Sequence, residues 1–128
     1  MTDTTNLSLR AALDLRWRRH ELLAHNVANA DTPGYRPKDL EFEGVLEAAV
    51  ERASAAAAPR APGGTGPLVD QATVERGDVY DTLDENKVDM DREMARIADN
   101  ALSYQTSMEV LRRRYGMIRG VVTDLSRT

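Results

Sequence analysis

Few residues in this chain have the chemistry to catalyse a reaction or hold a metal. His20 and His25 are the only histidines, and there is no cysteine. Five positions apart on a helix, the two imidazoles point about 140° away from each other, so one metal ion cannot take both. Asp81, Asp84, Asp89, Asp91 and Glu93 form an acidic group, but they lack the glycine and ligand spacing of a calcium loop. A solvated loop and a helix cap account for them. Gly63-Gly64-Thr65-Gly66 has no following Lys-Ser/Thr and is not expected to open a helix, so it is no phosphate loop. No serine stands in a nucleophile elbow. The chain reads as a non-enzyme with no cofactor and no bound metal.

The charge pattern narrows the choice of partners. A net charge of −4 over 128 residues argues against general nucleic-acid binding, which needs a basic footprint. Two basic clusters stand out, Arg16-Trp17-Arg18-Arg19-His20 and Arg112-Arg113-Arg114. Successive helix positions fan out by about 100°, so neither cluster makes one basic face. They are read as solvated faces, with pairing to acidic neighbours across subunits as the alternative. Gly116-x-x-x-Gly120 permits close helix approach, although outside a membrane that spacing is a weak signal. No run of apolar residues is long enough for a membrane span or a signal-peptide core.

The long helix expected over 88–125 is the main element. Starting at Met90 and stepping alternately four and three residues, the chain presents Met90, Met94, Ile97, Ala101, Tyr104, Met108, Leu111, Tyr115, Ile118, Val122 and Leu125. Every stop is apolar or aromatic, the heptad seam of a helix packed along its length against other helices. Asp91, Arg92, Glu93, Arg96, Asp99 and Asn100 fall between the stops and are expected in water or at a polar rim. At about 1.5 Å per residue such a helix is roughly 54 Å long. A chain of this size has no need of so long a rod to enclose its own core. The seam is therefore expected to meet other chains, with helix ends that become ordered on assembly.

A second amphipathic helix is expected over 7–30, where Leu9, Ala12, Leu13, Leu23, Val27 and Ala30 return at helical spacing, with Arg16 and His20 interrupting the face. It stops at Asn26-Val27-Ala28-Asn29-Ala30-Asp31-Thr32-Pro33-Gly34-Tyr35. Pro33 disfavours helical geometry at Thr32, and Pro33-Gly34 fits the centre of a type II turn with glycine at the positive φ. Asp39 to Ala58 reads as a shorter helix with Phe42, Leu46, Ala49 and Ala53 on one side. Residues 59–67 read as a flexible linker outside regular structure. Ala72 to Glu75 and Val79-Tyr80 read as a small β-hairpin. Asp89 is a good N-cap for the long helix, with Asp91 and Glu93 favourably placed in its first turn. The expected fold is mainly α and a single domain. Its N- and C-terminal helices pair as a coiled-coil-like hairpin, and the less regular middle, 31–87, holds the short helix, the linker and the small hairpin.

Two segments carry a family resemblance. Leu23 to Tyr35 resembles the N-terminal signature of the bacterial flagellar rod and hook axial proteins, close to N-[VI]-A-N-[AS]-x-T-P-G-Y. Leu83-Asp84-Glu85-Asn86-Lys87-Val88-Asp89-Met90-Asp91-Arg92-Glu93, continuing through Ala98 to Gln105, is similar to the C-terminal segment of short proximal-rod members of that family. The resemblance implies a structural subunit of the proximal rod that transmits torque and lines the export channel, its terminal helices forming the inner tube. It also implies export through the flagellar type III apparatus without cleavage, and a place in the basal body where the rod crosses the periplasm. Implied partners are sister copies, other rod proteins, the MS-ring protein, the rod adaptor and the export gate. Asn26, Asn29, Thr32, Pro33, Gly34 and Tyr35 would form a subunit-packing corner that sets how the N-terminal helix enters the rod. The alternatives are a neighbouring short proximal rod protein with the same N-terminal pattern, or a helical adaptor or export chaperone that does not polymerise.

Overall fold

The computed structural model describes residues 4–55, 66–76 and 88–126. Its elements in chain order are α1 (Thr4–Ala28), β1 (Lys38–Leu40), α2 (Phe42–Ala55), α3 (Gly66–Ala72), β2 (Thr73–Glu75) and α4 (Met90–Leu125). The fold is mainly α: α1 and α4 run antiparallel as a hairpin, α2 packs on α1, and α3 packs on α2. Helix α1 starts at Thr4, before the expected residue 7. It ends at Ala28, where Asn29 N donates to the His25 carbonyl and its own Nδ2 donates to the same oxygen at 2.8 Å.

Helix α4 begins as the acidic residues before it predict. Asp89 is the N-cap in extended geometry, and its carboxylate accepts from the Asp91 and Arg92 amides. This satisfies two of the four donors that a helix start leaves unpaired. The Pro33-Gly34 turn also forms. Gly34 has φ +74°, and Tyr35 N donates to the Thr32 carbonyl across it.

The middle of the chain differs from expectation in three ways, the first being that Asp39 and Leu40, expected to open the short helix, stand in β1, and α2 begins only at Phe42. Residues 73–75 pair antiparallel with Lys38–Leu40, in the register Lys38 to Glu75, Asp39 to Val74 and Leu40 to Thr73. Val79-Tyr80, the expected partner, lies outside the described residues. The sheet therefore closes a long-range contact between the segment after α1 and the segment before α4, and the Arg76 amide extends it by donating to the Pro37 carbonyl. Gly66 and Pro67, assigned to a linker without regular structure, instead open α3. A proline is well suited to the first turn of a helix, where its missing donor would go unused.

The apolar core joins Leu15 of α1, Leu40 of β1, Val45 of α2 and Val69 of α3, with Leu22, Phe42, Leu46 and Ala72 against them. No α4 residue is in this cluster among the described residues. Helix α4 is tied to α1 by side-chain hydrogen bonds from Asn26 to Glu93, from Asn100 to Arg16 and from Arg10 to Tyr115.

Candidate functional site

Asn26, near the end of α1, is fully buried and uses its whole hydrogen-bonding capacity. Its Oδ1 accepts from the Lys38 amide (2.9 Å) and the Tyr35 hydroxyl (3.0 Å), and its Nδ2 donates to the Lys38 carbonyl (2.7 Å) and to Glu93 Oε2 of α4 (3.0 Å). One side chain thus joins α1, the corner after it, the start of β1 and the first turn of α4. Asn29 and Thr32 close the helix end, Thr32 Oγ1 donating to Asn29 Oδ1 and Thr32 N to the Asn29 carbonyl. Of the six residues expected to form a corner, Asn26 and Tyr35 meet in its buried centre. Asn29 and Thr32 brace the helix end, and Pro33 and Gly34 make an exposed turn.

The corner continues into an ionic network that sequence reasoning missed. Glu93 is 1% exposed, contrary to its expected place in water. Besides Asn26 it engages Arg76, which follows β2, and lies 3.9 Å from Arg96 Nε. Arg19 of α1 grips Asp39 of β1 bidentately at 2.8 and 3.0 Å, and Arg96 approaches Asp39 at 3.8 Å. Burial opposes ionisation of Asp39. The Arg19 hydrogen bonds, the Leu40 amide and the Arg19 and Arg76 charges outweigh it and hold the carboxyl below the usual carboxylate range. The same hydrogen bonds raise the Arg19 guanidinium. Burial, helped by the Glu93 charge, pushes the Tyr35 phenol up.

The cluster of arginines on α1 is correspondingly not a solvated face. Arg19 is partly buried in its pair, and Arg16 stacks 4.6 Å over the Phe42 ring. Trp17 lies on the outer side, exposed and stacked on His20 at 6.1 Å. On α4, Arg113 pairs with Glu109 on the surface. Among the described residues no three potential metal ligands converge, and the buried carboxylates of Asp39 and Glu93 are engaged by cations and amides. These contacts position α1, β1, the segment after β2 and α4 against one another.

Exposure varies along the α4 seam. The residues facing α1 are Glu93, Asn100 and Leu111, and Leu111 lies about five whole turns from Glu93, at the same azimuth. A strict heptad stripe drifts by about 20° per repeat around a straight helix. From Met90 to Leu125 the drift is about 100°. The seam therefore coincides with the α1-facing line only in its second half and swings away toward the start. Met90 and Met94 are exposed, Met94 at 54%, whereas Ile97, Ala101, Tyr104 and Met108 are half-buried.

At the other end the facing line outruns its partner. Helix α1 is about 38 Å long and α4 about 54 Å. Near the N-terminus of α1, Arg10 Nη2 donates to the Tyr115 hydroxyl at 2.6 Å. From Tyr115 to Ser126 every residue is exposed. Met117, Ile118, Val121, Val122 and Leu125, the last at 72%, form an open apolar face. Arg112 and Arg119 fall on the opposite side by helical geometry, and Arg113 and Asp124 flank the face next to Met117.

No family model matches the chain. Curated proteins match it over nearly its whole length. Flagellar basal body rod protein FlgB of Escherichia coli K12 is 39% identical over 137 aligned positions, covering 98% of this chain and 97% of that protein. The protein of the same name in Yersinia enterocolitica is 37% identical over 123 positions, 89% of this chain and 88% of its own length. That of Salmonella typhimurium is 39% identical over 126 positions, covering 87% and 89%. Identity of 37–39% over 87–98% of the chain shows that it belongs to the FlgB family of flagellar basal body rod proteins.

Proposed function

We propose that the protein is a structural subunit of the proximal rod of the bacterial flagellar basal body, with no active site. In this reading α1 and α4 supply the faces through which it meets sister copies and neighbouring rod proteins. The observation that carries it is the last third of α4, a helical turn-by-turn continuation of the α1-facing line that leaves Ile118, Val122 and Leu125 open. Exposed apolar faces of this kind mark interaction surfaces. The names of the relatives, rod proteins of the basal body, agree with it.

Within that assembly the Asn26–Tyr35 corner fixes the angle between α1 and the middle of the chain, so that torque passes through packed helices. The exposed stretches of the seam, Met90 and Met94 at its start and Tyr115, Ile118, Val122 and Leu125 at its end, are the subunit contact. The drift of the seam suits neighbours that coil around α4, because a partner following the stripe must wrap left-handed. The MS-ring protein, the rod adaptor, the export gate and the next rod protein outward are the neighbours. The chain reaches the periplasmic rod through the flagellar export apparatus without a cleaved signal. No helix among the described residues is long and apolar enough to cross a membrane.

Basal bodies isolated from a strain lacking this gene test the reading. Rodless particles and non-swimming cells, both restored by the gene in trans, are expected. Complete basal bodies in the deletion strain would overturn it.

A further inference from the structure

The α1–α4 contact has an unusual composition for a helix pair. Two of the three α4 side chains buried against the rest of the protein are polar, Glu93 and Asn100, one heptad apart and each 1% exposed. Glu93 is tied to Asn26 and Arg76. Asn100 Nδ2 donates 2.9 Å to the main-chain carbonyl of Arg16 in the middle of α1, and no protein group donates to its buried Oδ1. A third tie, Arg10 to Tyr115, lies further along the pair. A buried amide with one unsatisfied oxygen weakens a helix pair relative to an aliphatic side chain of similar size.

We propose that Asn100, together with Glu93, fixes the register of α4 on α1 and excludes shifted pairings, at the expense of stability. The seam makes such a device necessary. In the part that is half-buried or buried, Ile97, Tyr104 and Leu111 are seven positions apart, as are Ala101 and Met108, so a slip of one heptad along α4 replaces apolar by apolar. The polar pair does not tolerate the slip. Moved one way, the Glu93 carboxylate meets the Arg16 carbonyl, acceptor against acceptor. Moved the other way, Asn100 replaces Glu93 and the buried carboxylate leaves the Arg76 guanidinium. Asn100 donates to the Arg16 carbonyl, and Glu93, held by Asn26 and Arg76, marks the height at which the two helices meet. Relieving that requirement frees α4 to slide, and frees its seam to pair with α4 of a second copy.

The chain has no cysteine, so spin labels can be attached at single introduced cysteines. His25→Cys and Met117→Cys place labels at exposed positions on the two helices. Electron double resonance on the full chain should give one narrow distance distribution in the parent. Adding Asn100→Leu should broaden it or add a population displaced by about 10 Å, one heptad of helix rise. Light scattering should then show dimers absent from the parent. Asn100→Ala, which removes the amide without adding bulk, should also broaden the distribution if the larger side chain prevents folding. A single parental distribution in both variants would overturn the proposal. So would loss of helicity in both, because the proposal has Asn100 restrict pairing and not supply the stability of the pair.

Discussion

Removing the Glu93 charge is the most informative single perturbation of the monomer. Glu93→Gln keeps the volume and one acceptor oxygen for Asn26 but takes the anion from Arg76, whose side chain is 11% exposed against 1% for Glu93. Breaking a buried pair by removing one partner costs about 3–5 kcal/mol, because the other charge stays desolvated. Arg76 keeps some contact with water, so the lower end, about 3 kcal/mol, is expected. A domain of this size has a total stability of about 6–19 kcal/mol, and a loss of 3 kcal/mol raises the unfolded fraction on the order of a hundredfold. Urea unfolding followed by far-ultraviolet circular dichroism measures it. Replacing both partners by apolar residues, Glu93→Leu with Arg76→Met, should restore most of the loss, so the double change should cost at least about 2 kcal/mol less than the two single changes added together. If each single change cost under about 0.5 kcal/mol and the two simply added, the corner would not be held by this pair.

Three further outcomes follow from the same geometry. A Cβ added at Gly116 or Gly120 meets nothing within 4 Å, so Gly116→Ala with Gly120→Ala should stabilise α4 of the monomer by about 1 kcal/mol per site, read by thermal melting. If the rod needs close helix approach at these glycines, swimming should fall in the same strain. Asp39 has its carboxyl lowered on folding, so its contribution is complete above the unfolded value of about 3.9. That contribution is lost as the pH falls through the lower folded value. Asp39→Asn should therefore destabilise the chain at neutral pH and flatten the acid limb of its stability curve below about pH 4. Pro33→Ala with Gly34→Val forces a β-branched side chain onto φ +74°. This should cost roughly 1–3 kcal/mol and leave a soluble chain that enters the rod poorly, measured by the amount retained in purified basal bodies.

What the sequence made legible was local. Asp89 before an acidic turn announces the start of α4, and Pro33-Gly34 announces a turn with a positive φ, because capping and glycine chemistry act over a few residues. The hairpin of terminal helices followed from apolar periodicity at both ends. The burial of Glu93 and Asn100 did not. Read at the heptad spacing of 3.5, both fall between seam positions and belong in water. At 3.6 residues per turn Glu93 shares the azimuth of Leu111, and that spacing of 18 was the signal available. The pairing of 73–75 with 38–40 was also hidden, because two three-residue strands carry too little pattern to show which distant segment completes them. From sequence Arg19 belongs to a solvated cluster and Asp39 to the start of a short helix, with nothing local to pair them. Only the fold brings them into bidentate contact, and with them Arg76 and Arg96.

In the proposed function the open end of α4 is an assembly surface and not a part of the monomer's own core. Ile118→Ser with Val122→Ser tests this directly, because both side chains are exposed and such changes leave a monomer's stability within about 0.5 kcal/mol. The predicted result is an unchanged melting curve for the purified chain, together with absent rods and no swimming when the variant is the only copy in the cell. A variant that swims normally, or a monomer that unfolds when these two residues change, would contradict it.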